Sequence, residues 1–195
     1  MTDSSMRGAS LISGLTKVVI PLAVLMLFAA QLATADEALD SVKSRLSENT
    51  LSFGVFEQTK TISSLSRPLK SSGSFLFEQH QGVIWLTQSP FFSQQCWTAE
   101  SVSSASASYW VRAIFAGDFE QLSAFFEITA SWSEEQWLVK LVPLNEAVAA
   151  ILSAVEVSGS QHLERISYQE TGGHSTEITL TPTDIRPDID WASCP

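Results

Sequence analysis

The sequence predicts an α+β protein in which two or three helices pack on one face of a strongly curved antiparallel sheet of seven to ten strands. Three observations carry that expectation. Short runs rich in β-branched and aromatic residues recur from Phe53 to Thr181, separated by turns built on Gly, Pro, Asn and Ser. Only a few segments space their apolar residues at helical intervals. No internal repeat with a period of roughly 20–50 residues is present, which rules out a solenoid.

The first 35 residues stand apart from the rest. Arg7 and Lys17 precede the apolar run Val18 to Ala30, and Ala33-Thr34-Ala35 offers small residues at signal-peptidase spacing. A spanning helix needs about 20 apolar residues, and this run stops short of that. Residues 1–35 are therefore expected to be a cleavable signal peptide, leaving one domain over 36–195. Without the signal, 9 basic residues face 20 acidic ones.

Within the domain, Leu39, Val42 and Leu46 mark a first helix. Phe53 to Ile62 reads as extended, Ser63 to Ser72 as turn-rich around Pro68, and Gly73 to Phe77 as a strand. Gln79 to Gly82 turns it into Val83 to Thr87; Ser89-Pro90 interrupts before Phe91 to Trp97 resumes. Ser101 to Ser108 alternates Ser and Ala and reads as a loop or weak edge strand. Tyr109 to Phe115 looks strand-like. Gly117 to Ile128 looks helical, with Phe119, Leu122, Phe125 and Phe126 forming a stripe. Trp137 to Val142 is a strand stopped by Pro143, and Asn145 can cap a short helix through Leu152. The chain closes on extended runs at Ala154 to Val157, Leu163 to Tyr168 and Glu177 to Thr181, with turns at Ser158-Gly159 and Gly172-Gly173.

Composition narrows the function. The chain has 195 residues, 45% hydrophobic and 16% charged, with net charge −10. An acidic chain without a basic cluster is a poor partner for nucleic acid. Cys96 and Cys194 form no CxxC motif, and an oxidising compartment permits a disulfide between them. His80, His162 and His174 are isolated, without HExxH or a second ligand at metal spacing. No GxSxG elbow and no phosphate loop occur. No catalytic residue, metal ligand or cofactor is expected. Glu134-Glu135 reads as a solvated turn.

The remaining signal is aromatic. Phe75, Phe77, Trp85, Phe92, Trp97, Trp110, Phe115 and Trp137, with the stripe of Phe119, Leu122, Phe125 and Phe126, are the candidate cavity and lid residues. Two readings stay open. Taken one by one these residues suit an ordinary core; taken together they suit a ligand cavity, which is mostly apolar with few polar groups.

Several lines resemble the LolA-type outer-membrane lipoprotein carrier family, particularly its divergent LolA-like branch. Phe53-x-x-Phe56-Glu57-Gln58-Thr59 is followed by Arg67 to Phe75, Gly82-Val83-Ile84-Trp85 and Ser89-Pro90-Phe91. Trp137 to Pro143, Val157-Ser158-Gly159, Leu163 to Ile166 and Glu170 to Ile178 complete the pattern. The resemblance implies an unclosed β-barrel with a helical lid over a hydrophobic cavity. It implies a monomeric, periplasmic, non-enzymatic carrier of lipoprotein acyl chains or another lipid, passing cargo from an inner-membrane donor to an outer-membrane acceptor. The alternative on the same half-barrel is a non-catalytic lipid- or stress-sensing adaptor. One departure stands out: where the best-known carriers place a lid-bonding Arg before the Pro that follows the Trp strand, this chain has Ser89, preceded by Gln88.

Overall fold

The computed structural model of the protein describes residues 36–98 and 107–194. The expected signal peptide and most of the Ser/Ala stretch lie outside the described residues. The first described element is α1, residues 36–48, where Val42 and Leu46 are buried at helical spacing. Nine strands follow: β1 Leu51–Thr61, β2 Leu69–Glu78, β3 Gly82–Ser89, β4 Ser93–Thr98, β5 Phe126–Ser133, β6 Gln136–Pro143, β7 Leu152–Gly159, β8 Leu163–Glu170 and β9 Ser175–Pro182. Between them sit α2 Ala107–Ala116, α3 Phe119–Ser123 and α4 Glu146–Ala149.

The strands form one antiparallel sheet in the order β4-β3-β2-β1-β9-β8-β7-β6-β5. The fold class is the one the sequence predicts: α+β, a curved antiparallel sheet that stays unclosed because its edges, β4 and β5, do not pair. Consecutive strands are neighbours almost throughout, as hairpin connections favour. The exception decides the architecture. β4 and β5 lie at opposite edges, so the chain between Thr98 and Phe126 must cross the open side, and it does so with α2 and α3.

Period-two alternation sorts the side chains. In β6, Trp137, Val139 and Leu141 are buried and Gln136, Leu138, Lys140 and Val142 exposed. β2 and β3 depart from this, with Gly73–Phe77 and Gly82–Leu86 buried without interruption. Their second face is covered by the C-terminal segment 183–194. Ile189 packs there on Leu76, Ile84 and Leu86. Cys194 is disulfide-bonded to Cys96 of β4, with Cα atoms 5.8 Å apart. Arg186 Nη2 donates to Glu78 Oε1 at 2.9 Å on the same strap.

Local chemistry sets several boundaries. Asn145 caps α4 by accepting from Val148 N at 2.8 Å. Asp118 caps α3 by accepting from Gln121 N at 3.2 Å. Glu134, at φ 58°, turns the β5–β6 hairpin with Glu135. Gly117 ends α2 at φ +66°, where an added Cβ would lie 2.8 Å from Leu46 Cβ.

Other boundaries correct the sequence reading. Tyr109–Phe115, expected as a strand, is the body of α2. Its aromatic and branched content favours a strand, but Trp110, Ala113 and Ile114 are buried at helical intervals. The helix expected over Gly117 to Ile128 stops at Ser123; Phe126 opens β5, in which Phe126 and Ala130 are buried and Glu127, Thr129, Ser131 and Ser133 are exposed. β2 starts at Leu69, inside the stretch expected to be turn-rich, and the helix after Asn145 ends at Ala149 rather than Leu152.

Candidate functional site

The two ends of the half-barrel differ. At one end lie the β2–β3, β5–β6 and β7–β8 turns, and α1 fills the interior there. Val42 and Leu46 join a core with Phe77, Val83, Trp137, Val157 and Leu163. Arg45 Nη1 donates to Ser160 O at 3.2 Å and Asn49 Nδ2 to Gln161 O at 3.2 Å, tying α1 to the β7–β8 turn. The Arg45 guanidinium sits 5.1 Å from the Trp132 ring centroid. That end is solid.

The other end holds a cavity of about 470 Å³. α2 supplies Trp110, Val111 and Ile114 from above. Ile151 just before β7, Leu152 and Val155 of β7, Ile166 and Tyr168 of β8, and Ile178 of β9 form a mainly aliphatic wall. The facing wall carries Trp85 and Trp97, whose stacked rings are 6.0 Å apart, and the Trp85 ring lies 3.9 Å from that of Phe56. Gln58, Ser71, Thr87 and Gln95 complete this wall toward the mouth. Glu170 is the one charged lining residue among those described, and Lys60 Nζ lies 3.0 Å from its Oε2. An apolar interior with a few polar groups near the opening is the composition of a small-molecule site of ordinary size.

The sequence-derived aromatic set divides between the cavity wall and the packed core. Trp85, Trp97 and Trp110 line the cavity. Phe75, Phe77, Phe115, Phe119, Leu122, Phe126 and Trp137 are 4% exposed or less and pack in the solid core. Phe125 is half-buried, edge-on to Tyr109 at 6.2 Å. Phe92 is exposed with Phe91 on the β3–β4 connection. The aliphatic wall was not among the expected residues. Its strands did alternate visibly, but alternation gives the inward row without saying which part of that row stays uncovered.

The four connections at the mouth end, residues 62–68, 90–92, 144–151 and 171–174, carry Arg67 and Glu146 as their only charged residues. With the first residue of β2, they expose Leu65, Leu69, Phe91, Phe92, Leu144 and Ile151. The opening has an apolar, nearly neutral rim on an acidic protein.

A serine–histidine contact lies between two loops at the mouth end: Ser63 and His174 meet, with Ser63 Oγ 3.4 Å from His174 Nδ1. That nitrogen also accepts from Ser63 N at 3.2 Å, and Ser63 Oγ donates to Gly172 O, so the contact ties two loops. Among the described residues no group of three His, Cys, Asp or Glu is placed to hold a metal ion.

No family model matches the sequence, and no curated protein does. Solved structures do. The chain is similar to the following two structures. One is a LolA superfamily protein of Nitrosomonas europaea, at TM-score 0.36 and 6% identity over 74% of this chain and 91% of that one. The other is a domain described as an outer membrane lipoprotein-sorting protein, from Vibrio parahaemolyticus, at TM-score 0.41 and 10% identity over 82% and 95%. At these scores neither likeness carries the fold or the function; strand order and the crossing helices define the fold.

Proposed function

We propose that the protein is a periplasmic, non-enzymatic carrier that takes an acyl chain of a lipoprotein or another lipid into this cavity and moves it from inner to outer membrane. The observation that carries the reading is the apolar cavity opening through an apolar, nearly uncharged rim, while α1 blocks the opposite end. Each methylene taken from water into such a cavity gains about 0.8 kcal/mol. The rim suits transfer to another apolar surface, since acyl chains leaving the cavity would meet Phe91, Phe92 and Ile151 before bulk water. The signal-like residues 1–35 and the order of LolA-like sequence motifs support the compartment and the partners, a membrane-bound donor and acceptor. Cargo enters and leaves as α2 shifts between closed and open populations, each lipid contact favouring the open-loaded state.

Val111 is half-buried on α2 and lines the cavity. Val111→Trp should fill the space while leaving the fold intact. Binding of a fluorescent apolar probe is expected to fall by about tenfold or more, equivalent to roughly 1.4 kcal/mol. Unchanged probe binding would remove the cavity from the function.

A further inference from the structure

The polar wall of the cavity is uncommitted. Gln58, Ser71, Thr87 and Gln95 step across β1, β2, β3 and β4, with Gln58 opposite Ser71 and Thr87 opposite Gly73. None of the four side chains has a hydrogen-bond partner among the described residues, and all four line the cavity near its mouth. Trp110, on the cavity roof and 8% exposed, has its indole Nε1 buried without a partner. The buried Trp110 Nε1 costs free energy that a ligand can recover; Gln58, Ser71 and Thr87 are half-buried and Gln95 is exposed, so a ligand would replace water on them. All five are uncharged. The one ionised group on the wall is Glu170, an anion, and the nearby cation Lys60 is already held by it at 3.0 Å.

Volume adds a second limit. With about 30 Å³ for a water-sized group such as a methylene, the 470 Å³ cavity holds one chain of roughly fifteen carbons. Three chains side by side do not fit.

We propose that the preferred ligand is a single-chain amphiphile whose linking or head group is uncharged and rich in hydrogen-bonding atoms, such as an acyl ester of a polyol or an acyl amide. The inference rests on the carrier reading. The chain lies against the aliphatic wall, and the ester, amide or hydroxyl groups lie against the Gln58, Ser71, Thr87 and Gln95 wall. A free fatty acid is disfavoured because its carboxylate would enter beside the Glu170 carboxylate, whose neighbouring cation Lys60 is already paired with it. A triacylated anchor is disfavoured by size.

The test is displacement of bound N-phenylnaphthylamine by monopalmitoylglycerol, palmitate and a tripalmitoylated peptide, in the intact protein. Monopalmitoylglycerol is expected to displace the probe at about tenfold lower concentration than the other two, a difference of one decade in dissociation constant. Glu170→Gln, which releases Lys60, should bring palmitate close to the ester. Gln58→Leu with Gln95→Leu should erase the ester's advantage, read as the ratio of the ester and palmitate displacement concentrations within that same variant. If the probe binds but palmitate or the tripalmitoylated peptide displaces it as well as the ester does, the inference fails and the carrier reading stands. If neither probe nor any lipid binds, the carrier reading fails and this inference with it.

Discussion

Val111 and Trp137 are both interior apolar residues, and they should answer substitution in opposite ways. Trp137 is fully buried at the solid end, and its Nε1 donates to Ser160 O at 3.0 Å. Trp137→Ala should cost about 3–5 kcal/mol by leaving a cavity in the packed core, read as a lower denaturant midpoint. Val111→Trp should leave that midpoint nearly unchanged and lose the probe instead. A Trp137→Ala variant of undiminished stability would contradict the assignment of that end as packed core. Residue identity alone did not separate the two groups. Trp85, Trp97 and Trp110 line the cavity, while Phe75, Phe77 and Phe115 fill the core, yet all six read alike in the sequence. The three Phe rings pack on one another, Phe115 of α2 lying 5.7 Å from Phe75 and 5.6 Å from Phe77, a contact made only once α2 crosses the sheet.

At the scale of elements, the most legible parts were those with a single period and a clear stop. β6 alternates cleanly, and Asn145 caps α4 as its side chain predicts. The segment from Tyr109 to Ile128 was misread because two periods overlap at Phe126: it extends the helical series Phe119, Leu122 and begins the strand series Phe126, Ile128, Ala130. The strap over 183–194 was invisible to local pattern, although the continuous apolar run Val83 to Leu86 signalled a strand buried on both faces. The disulfide spans 98 residues, a loop whose closure is worth about 4–5 kcal/mol in the chain-entropy model. Cys96→Ser with Cys194→Ser should therefore lower the denaturant midpoint and speed amide exchange along 183–194; exchange that stays slow would show that Ile189 and its neighbours hold the strap unaided. The rim makes a separate prediction. Burial of a Phe gains about 1.5–3 kcal/mol, so Phe91→Asp with Phe92→Asp should slow delivery of bound lipid to vesicles by about tenfold or more. Equilibrium binding should not change. Equal delivery rates would leave the exposed pair without a role in transfer.

Across the whole molecule, the chain makes a half-barrel with a plugged base and an open top. The sheet order leaves β4 and β5 unpaired, the crossing segment becomes a roof, and the plug decides where empty space remains. The class of fold was legible because hairpin spacing and alternation are local. The site was legible only as an aromatic excess, because emptiness is a property of the assembled molecule. Native mass spectrometry of the purified protein addresses this directly. The account predicts one lipid-sized mass adduct per chain, retained through gentle purification and absent from Val111→Trp. A single unliganded mass that takes up no added lipid would contradict it.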